Sequence, residues 1–385
     1  MATPAYAGSG VPRLGAWEKL RRINWGMLLV ISAIAGFGFA MLYSAANGSV
    51  DPWMSRQAAR FAVGIAALFA VALVEFRFWL RNAYLLYAAA MLLLIFVEIA
   101  GHIGMGAQRW INLGFIQLQP SELMKVALVL ALARYFHGRT YEEVGKPLVL
   151  IPPLMLCLVP AGLVLLQPDL GTAGMLILGG GLMFFVAGVR LWKFAILIAG
   201  GLAAVPVAWN FLRDYQKARI LTFLNPESDP LGAGYHIMQS KIAFGSGGMF
   251  GRGFLQGSQS HLDFLPERQT DFIFTMLAEE FGMAGGLMLL ALYAMLIAYG
   301  LVIAVNCRNQ FGRLVAVGLT GNLFLYVFIN MAMVMGLIPV VGVPLPLISY
   351  GGTAMITVLA GFGLLMSVYI NRDLKIGRRG RVGED

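Results

Sequence analysis

Ten runs of apolar residues, each roughly as long as a bilayer crossing, fall at 24–44, 57–75, 82–100, 121–136, 147–166, 171–189, 192–211, 271–304, 312–338 and 347–370. A hydrocarbon core of roughly 30 Å takes roughly 20 apolar residues of helix, and an isolated segment there must satisfy its own backbone hydrogen bonds. The expected fold is therefore all-α, a polytopic integral membrane protein of about ten transmembrane helices. Composition agrees: 59% of residues are hydrophobic and 12% charged, against about 25% charged in a soluble domain, and the mean hydropathy is +0.76. The net charge of +9 is read by loop rather than as a nucleic-acid footprint. With the N-terminus inside, 18 of the 28 Lys and Arg fall on the cytoplasmic side, six in the long segment 212–270 and four elsewhere. The positive-inside rule then places both ends in the cytoplasm.

This organisation gives a cytoplasmic tail over 1–23, a membrane domain over 24–371 and a basic cytoplasmic tail over 372–385. The run at 24–44 is too long for a signal peptide, with no obvious cleavage site. Two non-apolar stretches, 100–120 and 212–270, fall outside the cytoplasm. The second is too long for a simple connection, and its aromatic and aliphatic residues, with Gly245, Gly247, Gly248, Gly251 and Gly253 permitting tight turns, point to a folded extracytoplasmic cap of short amphipathic or re-entrant pieces.

Charged groups at span ends are where chemistry is expected, because ionisable side chains at membrane depth are costly. Asp271 opens the eighth span after Pro266. Its bland reading is a favourable place on the helix dipole, but Lys241, Arg252, Asp263, Glu267 and Arg268 precede it in the cap. A carboxylate beside cations at the wet end of an apolar helix suits acid–base chemistry on an anionic substrate. Glu279 and Glu280 lie about 80° and about 180° around the helix from Asp271 at about 100° per residue, so the three cannot line one pocket. The span 271–304 would be about 51 Å long, which requires tilt or projection from the bilayer.

Arg109 and Trp110 occupy the outer loop before the fourth span. Trp110 reads equally as an aromatic-belt anchor, whereas the guanidinium of Arg109 offers a planar fork to a pyrophosphate. Glu122 and Lys125, three apart, favour a buried pair on one helix face. Asp169 reads first as the cap of the sixth span, with Lys125 as an alternative partner. The two prolines and two glycines of Pro344–Gly352 predict irregular backbone, which is tolerated at membrane depth only where protein or water covers it, so Ser349 is expected to line a cavity. The four histidines have no metal-ligand spacing, neither cysteine belongs to a disulfide framework, and no Walker loop, nucleophile elbow or dinucleotide fingerprint is present. Acid–base chemistry falls to Asp and Glu.

Eight ordered segments carry a resemblance that covers nearly the whole chain. They are Gly106-Ala-Gln-Arg-Trp-Ile111, Gln119-Pro-Ser-Glu122, Gln167-Pro-Asp-Leu-Gly-Thr172, Gly234-Tyr-His-Ile-Met-Gln-Ser240, Gly245-Ser-Gly-Gly248, Phe264-Leu-Pro-Glu267, Thr270-Asp-Phe-Ile-Phe274 and Val343-Pro-Leu-Pro-Leu-Ile-Ser-Tyr-Gly-Gly352. The chain resembles the shape, elongation, division and sporulation (SEDS) proteins, in the form of their rod-shape rather than their division members. One departure is Gln269, where the family often has His.

The resemblance implies a peptidoglycan glycosyltransferase of the bacterial cytoplasmic membrane, polymerising lipid II on the outer face beside a class B penicillin-binding transpeptidase. It makes Asp271 the candidate general base. Arg109, Trp110, Lys125, Lys241, Arg252, Glu267, Arg268 and Ser349 become substrate-binding candidates, with Glu122, Asp169 and Gln239 in support. A divalent cation such as Mg2+ or Mn2+ could assist the leaving charge, although no preformed metal cage is visible. The competing readings are a transporter or flippase of lipid-linked precursors, for which broken helices and charged helix ends would also serve, and a division member of the same family with the same chemistry.

Overall fold

The computed structural model describes residues 15–104, 107–112, 117–211, 214–225, 233–257 and 267–377. Residues 1–14 and 378–385 of the two tails, and Ser258 to Pro266 with Asp263 among them, lie outside the described residues. A short α1 (Ala16–Arg21) leads into α2 (Trp25–Ala45), which Asn24 caps by accepting from the Met27 N–H at 3.0 Å. Next come α3 (Trp53–Leu73) and α4 (Phe76–Ala100). Three short strands, β1 (His102–Gly104), β2 (Ala107–Asn112) and β3 (Gln117–Leu118), then pair antiparallel in the order β1-β2-β3. They are the exception to the all-helical expectation, in a stretch read from sequence only as a non-apolar loop. Beyond them lie α5 (Pro120–His137), α6 (Tyr141–Val144), α7 (Pro147–Leu166), α8 (Leu170–Val186) and α9 (Leu191–Phe211). The cap segment contains α10 (Asp214–Leu224) and α11 (Ala233–Gly247), and the chain closes with α12 (Ile273–Asn306), α13 (Gln310–Val334) and α14 (Gly352–Ile370).

Seven of these helices, α2, α3, α4, α7, α12, α13 and α14, are long and apolar enough to cross a bilayer, and α8 and α9 are shorter apolar helices. With α5 they correspond to the ten apolar runs. Burial sorts them into layers: α5 is buried along nearly its whole length, as are α13 and α14, whereas α9 exposes most of its side chains. The central helices carry the polar residues and the outer ones present Leu, Ile and Val. In lipid, close approach replaces the hydrophobic drive between helices. The pair α3 and α14 shows this, since a Cβ on Gly64 would lie 2.3 Å from Leu359 Cδ1 and one on Gly363 would lie 2.6 Å from the Leu68 carbonyl oxygen.

The long eighth span is not one straight rod. Gly282 takes φ 64° and ψ −162°, a conformation outside the helical region, and breaks the ladder of α12. The backbone groups freed there are met by the glycine-rich segment after α11. The Glu279 and Glu280 carbonyls accept from the N–H groups of Arg252 and Gly253 at 3.0 and 3.1 Å, while the Met283 and Ala284 N–H groups donate to the Gly248 and Met249 carbonyls at 2.9 and 3.0 Å. Gly251 must be glycine, because its φ is +81° and a Cβ would sit 2.0 Å from the Glu280 carbonyl oxygen. The glycines thus serve a backbone-to-backbone join that seats the cap on the membrane domain. Glu279 and Glu280 are both buried beside it, and Ser44 of α2 donates to Glu280.

Candidate functional site

Asp271 sits in the turn that leads into α12, half-buried. Asn330 of α13 donates to the Asp271 main-chain carbonyl at 2.9 Å and to the Val343 carbonyl at 2.8 Å, tying this turn to the loop between α13 and α14. Two more bonds close the clamp: the Ser349 hydroxyl donates to the Thr270 carbonyl at 2.6 Å, and the Tyr350 N–H donates to the Gln269 carbonyl at 2.8 Å. The Asp271 carboxylate faces Gly342, whose φ is +71°, and a Cβ on that glycine would lie 3.3 Å from Oδ2. The backbone around the carboxylate is therefore held from several sides while its side chain stays partly open. Glu267 belongs to the same turn, where it accepts from the Thr270 hydroxyl at 2.8 Å. Thr275, one helical turn on, meets Ser240 of α11 at 2.8 Å, and Ser240 also donates to the Val334 carbonyl at 2.7 Å. Gln239 and Lys241 flank that anchor, Gln239 half-buried and Lys241 exposed.

The irregular loop 335–351 ties Ser349 to the Asp271 turn. Ser349 is buried, its hydroxyl also accepting from the Leu345 N–H at 2.8 Å, and it lines a small pocket shared with Tyr326. Tyr326 also borders a larger cleft of about 50 Å³, which Glu122 and Lys125 line with Thr357 and Phe362. Lys125 Nζ lies 2.7 Å from Glu122 Oε1 and 4.1 Å from the centre of the Tyr326 ring. The Tyr326 hydroxyl donates to the other oxygen of Glu122. The buried pair expected from the spacing is thus present, with a tyrosine as its third member.

Three expected cations have other engagements. Arg109 turns its fork onto main-chain carbonyls, Nε donating to Gln167 O at 2.9 Å and Nη2 to Pro168 O at 2.6 Å, with Nη1 3.7 Å from Asp169. That use of the guanidinium competes with a pyrophosphate for the same N–H groups. Asp169 caps α8, accepting from the Thr172 N–H at 3.0 Å and its hydroxyl at 2.9 Å, and its cationic neighbour is Arg109 rather than Lys125. Arg268 is buried with its guanidinium 5.9 Å from the Trp53 ring. Arg252 is exposed, its Nε donating to the Ser246 carbonyl at 3.4 Å. Trp110 lies half-buried in β2, opposite His102 of β1.

Sequence reasoning did not single out Gln57, Arg60, Asn330 or Tyr326. Gln57 of α3 donates to the Ser349 carbonyl at 2.8 Å, and Arg60, one turn deeper, lies 4.4 Å from the Tyr350 ring centre. Their signal was available, since both are polar residues inside or at the edge of an apolar run. Among the described residues no group of three His, Cys, Asp or Glu is placed to hold a metal ion. The donor set therefore does not fit a protein-built metal cage there.

Comparison with known proteins places this architecture. The model of the FtsW/RodA/SpoVE family, described as cell cycle proteins, matches residues 23–374. A protein of Escherichia coli K12 named peptidoglycan glycosyltransferase MrdB is 44% identical, covering 93% of this chain and 96% of that protein. Peptidoglycan glycosyltransferase RodA of Treponema pallidum is 32% identical, covering 89% and 96%. Among solved structures, a chain from a peptidoglycan synthase complex studied for the coordination of polymerization and crosslinking superposes with a TM-score of 0.80 at 36% identity, covering 92% of this chain and 99% of that one. The Thermus thermophilus rod shape determining protein RodA gives 0.70 at 32% identity, covering 92% and 98%. Matched from end to end of its membrane domain and along nearly the full length of these relatives, the chain belongs to the FtsW/RodA/SpoVE family of multi-pass membrane proteins.

Proposed function

We propose that the protein is a peptidoglycan glycosyltransferase that polymerises lipid II into glycan strands during cell elongation, with Asp271 as general base. The observation that carries the reading is the placement of Asp271, with its backbone clamped by Asn330, Ser349 and Tyr350 and its carboxylate half-exposed against Gly342. In the reaction the acceptor sugar hydroxyl attacks the anomeric carbon of the donor's muramyl sugar. The new glycosidic bond forms as the bond to the polyprenyl diphosphate breaks. Asp271 takes the hydroxyl proton, and the diphosphate departs as an anion whose charge a cation must offset. Lys241, Arg252 and Arg268 are the cap cations assigned to the substrate's charges. The described carboxylates do not converge on a site for a divalent cation.

The relatives' names, and the coupling of polymerization to crosslinking in one solved relative, support a class B penicillin-binding transpeptidase as partner. The test of the function is glycan formation from lipid II by the purified protein together with that partner. Release of long glycan is expected, whereas transfer of intact lipid II between leaflets without any glycan would replace the reading with the flippase.

In this reading the cap and Asp271 face away from the cytoplasm. Cys157 and Cys307 are both buried, so a membrane-impermeant maleimide will report on an introduced thiol. Lys241→Cys is expected to react from outside intact cells, and reaction only after the inner face is opened would invert the orientation.

A further inference from the structure

Arg60 is a cation inside a span with no anionic partner among the described residues. It lies about two turns into α3 from Trp53, within a span where an ionisable side chain is costly and functional by default. Among the described residues no carboxylate lies within ion-pair distance of it, and its Nη1 is buried with no hydrogen-bond partner. One face of the guanidinium rests on the Tyr350 ring, 4.4 Å from its centre. Its Nε and Nη2 run beside Gly352, 3.5 and 3.7 Å from where a Cβ would stand. Gly352 is the first residue of α14, and the N-cap, Gly351, supplies no side-chain acceptor to the helix end. The N-terminus of a helix carries roughly half a positive charge, so the fold alone places two like charges side by side. An anion beside both offsets that repulsion; on the arginine it finds Nη1 without a partner, while the N-cap N–H of Gly351 already donates to Gln57 Oε1 at 3.4 Å.

Position relative to Asp271 says which anion. The loop 349–351 is fastened to α3 on one side, by Gln57 Nε2 on the Ser349 carbonyl at 2.8 Å. It is fastened to the Asp271 turn on the other, through Thr270 and Gln269. Displacement at an anomeric carbon needs its base on the acceptor side and its leaving group on the opposite side. We propose that Arg60, with the N-terminus of α14, binds the diphosphate of the lipid-linked donor and holds it as it leaves. The proposal rests on the glycosyltransferase reading and assigns the leaving-group end of the same site. Arg109, whose fork is taken by the Gln167 and Pro168 carbonyls, is the contrasting case of an arginine whose capacity the fold already uses.

The test is binding of farnesyl diphosphate to the full chain in nanodiscs, with and without phosphatidylglycerol, for wild type, Arg60→Gln and Arg60→Lys. Loss of a charge-assisted contact predicts affinity about tenfold to hundredfold weaker in Arg60→Gln. Arg60→Lys keeps the charge but not the planar fork, so an intermediate loss is expected. That variant also carries the test if Arg60→Gln is too unstable to measure. Wild-type affinity in both variants would overturn the proposal. So would a loss confined to phosphatidylglycerol, which would make the site one for a phospholipid headgroup. Binding is read without turnover, so a protein that binds farnesyl diphosphate through Arg60 but makes no glycan would refute the glycosyltransferase reading and leave the diphosphate site standing.

Discussion

Asp271→Asn is expected to slow glycan polymerisation by about 10²- to 10⁴-fold, the usual cost of removing a general base, while the protein stays folded and bound to its partner. The contacts that hold this turn are made to main-chain atoms. Asn330 donates to the Asp271 carbonyl, Ser349 to the Thr270 carbonyl and Tyr350 to the Gln269 carbonyl, and none of these depends on the carboxylate. Asn has the size of Asp and retains an acceptor oxygen. If Asp271 did no more than favour the positive end of α12, its loss would cost a few tenths to about 1 kcal/mol of local stability and leave the rate alone. The two roles therefore separate by orders of magnitude in lipid II polymerisation, measured on variant and wild type of matched thermal stability. Near-normal synthesis by a well-folded variant would pass the role to Glu267, the other described carboxylate of the same turn, or to Asp263 earlier in the cap.

The membrane architecture was legible because length and apolarity are one-dimensional signals. Helix α7 spans the run 147–166 to the residue, and α8 and α12 differ from their runs by one to three residues at each end. What the residues one by one could not show was pairing between distant backbones. The strands β1 to β3 are two to six residues long, too short for a period of two to register. The break at Gly282 is invisible in a run where glycine is also tolerated inside a helix, and becomes intelligible only when the 248–253 backbone is seen filling it. The break adds a bend to a span whose length alone had already called for tilt or projection.

The site divides the same way. Local spacing correctly joined Glu122 to Lys125 and placed Asp169 at the start of α8, since both relations lie within one helical turn. Arg109 was read by its chemistry alone, and its partners are carbonyls 58 and 59 residues away with no side-chain signature. Arg60 stands three residues into the run 57–75, where a single charge near a span end carries no local sign of what it faces. Asn330 and Tyr326 look like ordinary members of an amphipathic run until α13 is packed against the Asp271 turn and α5.

Lys125→Met is expected to destabilise the protein by about 3–5 kcal/mol, because it strands the Glu122 carboxylate in a site closed to solvent. The side chains of Lys125 and Glu122 are only 2% and 4% exposed, so little water can take the lost partner's place. The companion double variant Glu122→Gln with Lys125→Met should recover most of that loss. It buries no charge, and the Gln oxygen can still accept from the Tyr326 hydroxyl that donates to Glu122. A buried ion pair commonly gains little over a neutral replacement of similar volume, whereas breaking one half is expensive. The cycle is read as thermal unfolding of the purified protein in one detergent. Equal losses in the single and double variants would show that the charges themselves hold α5 to α13, against the expectation. Glycan synthesis by the same samples decides what the pair is for. A double variant as stable as wild type but unable to polymerise would move Lys125 from the scaffold into the substrate site, since the cleft it lines opens beside Tyr326, which also borders the Ser349 pocket of the Asp271 loop.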